Sequence, residues 1–202
     1  MSATEVEAWK RLAGLDPSSV CSRCDVSYEK PSGSYLLDSF GCQIAVSPLE
    51  QAFSVEDSIG TIVLNELGIY SRLAILKYLN GCKDIPLGGQ LVNPSTLPGG
   101  DIFLRGTHVL PLERLANRFS GDIPGFYEVG AKLGGKRIAL ADAALQLFPL
   151  PKMPVCVLFW ERDEEFPANA SILFDTSCQF HLPTDIIWAI GMLSAEMMLR
   201  VY

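Results

Sequence analysis

The sequence predicts an α+β fold: a mostly antiparallel sheet built from hairpins, with helices packed against it. A long helix is expected in the N-terminal half and another at the C-terminus. Three observations carry this. Short strand-like runs cluster around turn residues, with Lys30-Pro31-Ser32-Gly33 and Gly41 separating the runs at 24–28, 35–40 and 43–46. Apolar residues Ile59, Ile62, Val63, Leu67, Leu73, Leu76 and Leu79 recur at helical spacing, as do Ile186, Ile187, Ile190, Leu193, Met197, Met198 and Val201. Between those helices, the apolar runs at 145–148 and 155–160 are too short for helices and are bounded by Pro149, Pro151 and Pro154.

The elements follow in order. Residues 2–15 read as a helix, with Ser2 and Glu5, or Thr4 and Glu7, as a capping box and Val6, Trp9, Leu12 and Leu15 as its apolar stripe. Ser54 with Asp57 opens the long helix; Gly68 is placed to divide it, and Asn80-Gly81 ends it. The stretch 85–101, punctuated by Pro86, Gly88-Gly89, Pro94 and Pro98-Gly99-Gly100, reads as a linker or a loop structured by its surroundings. Helices are expected at 111–119 and 125–133, the second stopped by Gly134-Gly135. Strands follow at 137–141, 145–148, 155–160 and 171–174, and Pro183-Thr184-Asp185 starts the last helix, 184–201. The 202 residues are read as one α+β domain without internal repeat or low-complexity tract.

Composition removes several function classes. Apolar residues make up 49%, ample for a large core, while the net charge of −7 and the lack of a Lys/Arg-rich run argue against nucleic-acid binding. Residues 2–15 carry Glu5, Glu7, Lys10 and Arg11 and lack the apolar centre of a signal peptide. Asn65, Glu66, Arg72 and Lys77 interrupt the longest apolar stretch, so no membrane span is expected, and the reading is a cytoplasmic protein. Nucleotide-binding glycine loops, H-E-x-x-H and G-x-S-x-G are absent from the sequence.

The candidate site comes from the stretch between Val155 and Trp188. There a buried strand, an acidic turn, a second strand and a helix start follow one another, which sets unlike polar groups at the ends of rigid elements. Asp163 and Glu165, with Glu164, could pair as carboxylates for acid–base work or for a hard cation, or form a solvated turn. Asp175 ends an apolar strand before Thr176-Ser177, either capping a turn or entering a pocket. His181 lies within loop reach of Asp175, and His108 follows Arg105-Gly106-Thr107. Trp160 is among the aromatics available to wall a flat cofactor pocket. Cys21 and Cys24 form a C-x-x-C pair that suits a metal, a redox dithiol, or two reduced thiols in a turn. Cys156 is read as a small hydrophobe, and Cys82, after Asn80-Gly81, as incidental.

Leu97-Pro98-Gly99-Gly100, Arg105-Gly106-Thr107-His108, Phe159-Trp160, Asp163-Glu164-Glu165-Phe166-Pro167, Ile172-Leu173-Phe174-Asp175 and Leu182-Pro183-Thr184-Asp185 together resemble an uncharacterised prokaryotic family, a domain of unknown function. The resemblance runs roughly from Trp9 to Leu199 and brings no catalytic residues with it. It implies a chain that occurs alone or beside a four-cysteine iron–sulfur module, mainly in anaerobic bacteria and archaea, and a setting in anaerobic redox or one-carbon metabolism. One C-x-x-C cannot supply the four thiolates of such a cluster.

Three functions are therefore expected to compete. The first is a module binding a small-molecule ligand or a cofactor such as a metal or tetrapyrrole, walled by 97–108 and 163–185. The second is an interaction subunit for an iron–sulfur or corrinoid protein. The third is a dithiol redox or hydrolytic enzyme.

Overall fold

The computed structural model describes residues 2–104 and 109–201. Helices α1 (Ala3–Ala13) and α2 (Pro17–Cys24) lead into an antiparallel meander of β1 (Ser27–Glu29), β2 (Ser34–Ser39), β3 (Cys42–Ser47) and β4 (Ala52–Ser54). Ser2 caps α1 by accepting from Glu5 N at 3.2 Å. Phe40 and Gly41, both at positive φ, close the β2–β3 hairpin opposite the Ser39–Cys42 pair, the backbone that a two-residue turn between twisted strands requires.

Next come α3 (Ser58–Thr61), a π-helical turn at Ile62–Glu66, and α4 (Gly68–Gly81). The expected long helix is therefore broken at Gly68, and its two parts meet at 96°. Asp57 caps α3 by accepting from Gly60 N at 2.7 Å. No single helix among the described residues is long and apolar enough to cross a membrane, although the two bent parts together reach that length and hydropathy.

The second half holds β5 (Leu91–Val92), short 3-10 turns at Pro94–Thr96 and Gly100–Leu104, α5 (Leu112–Phe119), α6 (Ile123–Lys132), β6 (Lys136–Arg137), β7 (Ala143–Leu147), β8 (Val155–Trp160), β9 (Asn169–Asp175), α7 (Cys178–His181) and α8 (Thr184–Arg200). Its sheet has the order β5-β9-β8-β7-β6 and every pairing is antiparallel. The α+β class with two antiparallel sheets is thus the observed one. β8 is buried on both faces: Val155, Val157 and Phe159 enter the main core, while Cys156 and Leu158 meet Ala144 in a small second cluster.

The main core draws on both sheets and on α1, α4 and α8. Phe40 N donates to Phe148 O and Ser39 Oγ to Pro149 O, each at 2.9 Å, which ties the two sheets together. Two differences from the sequence reading bear on the site. Cys24 ends a helix instead of starting a strand, and a one-turn helix, α7, separates β9 from α8.

Candidate functional site

The C-terminal ends of α2, α4 and α7 meet. α2 begins at Asp16, which accepts from Ser19 N at 3.0 Å with Pro17 in the first turn, and it stops at Asp25, whose φ of 54° turns the chain out of the helix. That stop buries Cys24 against the last turn of α4. Tyr78 Oη donates to Cys24 O at 2.7 Å and accepts from Lys152 N at 3.1 Å, so one buried hydroxyl fixes two loops. Arg23 donates through Nη1 to Cys82 O at 3.0 Å and through Nη2 to Leu79 O. Its guanidinium therefore neutralises the carbonyl end of α4, where partial negative charge accumulates.

Cys82 follows α4 directly and is 1% exposed. Its Sγ lies 3.3 Å from His181 Nδ1, a contact across 99 residues, and 3.3 Å from Arg23 O. Lys83 N also donates to His181 Nδ1 at 3.3 Å, which leaves that nitrogen as the acceptor and places the neutral ring's proton on Nε2. Nε2 is buried and has no partner among the described residues. Imidazole Nδ1 is thus an acceptor that Lys83 N and the Cys82 thiol share.

The two sulfurs divide the charge unequally. A hydrogen bond from the Cys24 thiol, aided by His181, outweighs burial and draws the Cys82 thiol below its ordinary value. Cys24 is driven the opposite way by the same hydrogen bond, by burial and by the charge on Cys82, with Arg23 and Lys152 opposing. The contact thus favours the charged form at Cys82 and the proton-bearing form at Cys24. Burial instead pushes Cys156 up to about 11 and Cys42 and Cys178 up to about 12, and it raises Cys21 as well.

The residues singled out from sequence do not form one site. β9, seven residues and about 20 Å long, separates the Trp160–Phe166 end of the sheet from the Asp175–His181 end. At the first end, Asp163 accepts from Glu165 N at 2.8 Å and Phe166 N at 2.7 Å, the pattern of a turn-forming carboxylate. Glu165 is exposed, and Trp160, 36% exposed, flanks a shallow cleft with Phe166. At the other end, Asp175 is buried and accepts from Gly88 N and Gly89 N at 2.8 Å and Ser177 N at 2.9 Å. Burial acts to raise its pKa, but these donors outweigh it and hold the carboxyl below its usual range. Asp175 thus clamps the loop that follows Cys82 onto α7.

Arg105 and His108 lie outside the described residues. Cys21 is half-buried one turn before Cys24. No group of three or more His, Cys, Asp or Glu among the described residues could hold a metal ion, so the C-x-x-C pair acquires no further ligand there. An iron–sulfur cluster, which needs four thiolates, does not fit this arrangement.

A model of a domain of unknown function, DUF3786, matches residues 16–197. The chain belongs to that family. The DUF3786 match begins at the Asp16 cap of α2 and takes in Cys24, Tyr78, Cys82 and His181, leaving α1 outside. No curated protein matches the chain. No solved structure matches it either.

Of the residues that converge, the sequence points to Cys24 and His181 and leaves Cys82 incidental. The one local signal for Cys82 was its place just past a helix stop, where a side chain is free to turn inward.

Proposed function

We propose that this chain is a thiol–disulfide exchange module in which Cys82 attacks and Cys24 resolves. The observation that carries the reading is the meeting of Cys82 Sγ with His181 Nδ1 at 3.3 Å, beside Cys24, with Arg23 Nη1 reaching both Cys24 Sγ at 3.5 Å and Cys82 O at 3.0 Å.

In the first step the Cys82 sulfur attacks one sulfur of a substrate disulfide. The substrate S–S bond breaks, and the departing thiolate takes the proton that His181 Nδ1 received from Cys82. In the second step Cys24 loses its proton and attacks the Cys82 sulfur of the mixed disulfide. The second substrate thiolate leaves with that proton, and a Cys24–Cys82 disulfide remains. Two protein thiols are oxidised by two electrons and one disulfide is reduced to two thiols, so the exchange balances and runs in either direction. Arg23 stays paired with the carbonyls of α4 and opposes neither charge change. A cytoplasmic setting suits this chemistry, because a reducing compartment returns both thiols after each cycle.

The test is to equilibrate the protein with reduced and oxidised dithiothreitol and map the cross-linked peptides by mass spectrometry. A Cys24–Cys82 link that titrates reversibly, survives Cys21→Ser and disappears in Cys82→Ser is expected. A Cys21–Cys24 link, or six alkylatable cysteines at every ratio, would overturn the reading.

A second reading, a binding module for a ligand or cofactor, draws on the cleft of about 620 Å³ beside Trp160 and Phe166. Quenching of Trp160 fluorescence by a bound aromatic ligand would favour it over the dithiol.

A further inference from the structure

The surface above Cys82 differs from the rest of this acidic chain. A cleft of about 470 Å³ has Cys82 among its lining residues, together with Arg11, Arg23, Lys83, Ser19 and Asn80. Three cations thus face it in a chain of net charge −7. Its one acid, Asp84, is paired with Lys152 Nζ at 3.4 Å. Arg23 is committed to the end of α4, whereas Arg11 and Lys83 have no ion-pair partner among the described residues and are exposed.

Asn80 supplies a second, independent feature. Its Nδ2 donates to Ala8 O at 3.0 Å and Leu76 O at 2.8 Å. Two carbonyl partners fix which end of the amide is nitrogen. Oδ1 then remains, in a residue only 8% exposed, as a buried acceptor with no donor among the described residues. An unfilled buried acceptor costs stability unless a ligand or water supplies its hydrogen bond.

From these groups together we infer that the substrate is a small disulfide of the cysteinyl type, an amino-acid or short-peptide disulfide carrying a carboxylate and an N–H donor beside its sulfur. The carboxylate meets Arg11 and Lys83, the N–H meets Asn80 Oδ1, and the disulfide is delivered to Cys82. This rests on the exchange reading above, and its bond changes are those already given: one substrate S–S bond is reduced to two thiols as the Cys24–Cys82 bond forms.

The test compares three probes on the reduced protein: glutathione disulfide, which carries carboxylates; 2-hydroxyethyl disulfide, which is neutral; and cystamine, which is cationic. The expected result is a rate for glutathione disulfide roughly tenfold above that for cystamine at low salt, falling toward parity at high salt. The Arg11→Gln/Lys83→Gln double variant, changed only at exposed side chains, should lose most of that preference, read as the ratio of the glutathione disulfide rate to the cystamine rate. Equal rates for the three probes, or faster reaction with cystamine, overturn this inference and leave the exchange reading standing. Failure of all three to form the Cys24–Cys82 bond overturns both.

Discussion

Removing one oxygen, in Tyr78→Phe, tests how the dithiol is held. The Tyr78 hydroxyl donates to Cys24 O at 2.7 Å and accepts from Lys152 N at 3.1 Å, and the ring is fully buried. Phenylalanine keeps the packing but leaves a carbonyl and an amide without partners. An orphaned buried group costs about 1–3 kcal/mol. The Lys152 amide is only part-buried, so its cost falls at the low end and the pair together comes to about 3 kcal/mol. In a chain of this size each kcal/mol moves Tm by about 2–4 °C, so a fall of roughly 6–12 °C is expected. Thermal and urea unfolding read the effect. Tyr35→Phe is the control, a tyrosine similarly buried but with no hydrogen bond of this kind among the described residues. If Tyr78→Phe unfolds within about 0.5 kcal/mol of Tyr35→Phe, the hydroxyl does not hold Cys24 and the reasoning fails.

Three further outcomes are expected. Asp175→Asn keeps an acceptor for Gly88 N and Ser177 N but turns an N–H donor toward Gly89 N, and should cost about 2 kcal/mol in urea unfolding at neutral pH. Because the folded carboxyl sits below its usual range, its stabilisation is present above the unfolded value of about 3.9 and is lost as pH falls through the folded value; Asp175→Asn should flatten that part of an acid titration of stability. Gly134→Ala should lose more than Gly121→Ala in thermal unfolding. Both sit at positive φ, worth about 1 kcal/mol, but only at Gly134 would the new Cβ come within 2.9 Å of Gly41 Cα, where the two halves touch.

What the sequence disclosed follows the range of the physics. β8 was readable to its ends because its apolar run is local and prolines precede it, and α8 because seven apolar positions repeat at helical spacing. Gly68 was readable as a break, though not the 96° angle between the two parts, in which α4 packs against α1 and α8. α2 was missed although Asp16-Pro17 is a fair start signal, because the C-x-x-C pair drew the reading toward a turn. Three adjacent acids invited a catalytic reading, yet Asp163 spends Oδ1 on its own turn, and Asp175 bonds glycines 86 and 87 residues away. Cys82 looked incidental because nothing within ten residues explains it; its meaning lies in His181 and in Cys24, 58 residues away. Contacts of that separation arise only from the packing of whole elements.

The most direct test of the account is the rate of iodoacetamide modification at each cysteine, followed across pH by mass spectrometry. The account predicts one cysteine apart from the rest, Cys82, reacting with a midpoint well below the ordinary thiol value of about 8.5 and moving upward in both His181→Gln and Cys24→Ser. A Cys82 midpoint at or above the ordinary value, unmoved by either substitution, would contradict it.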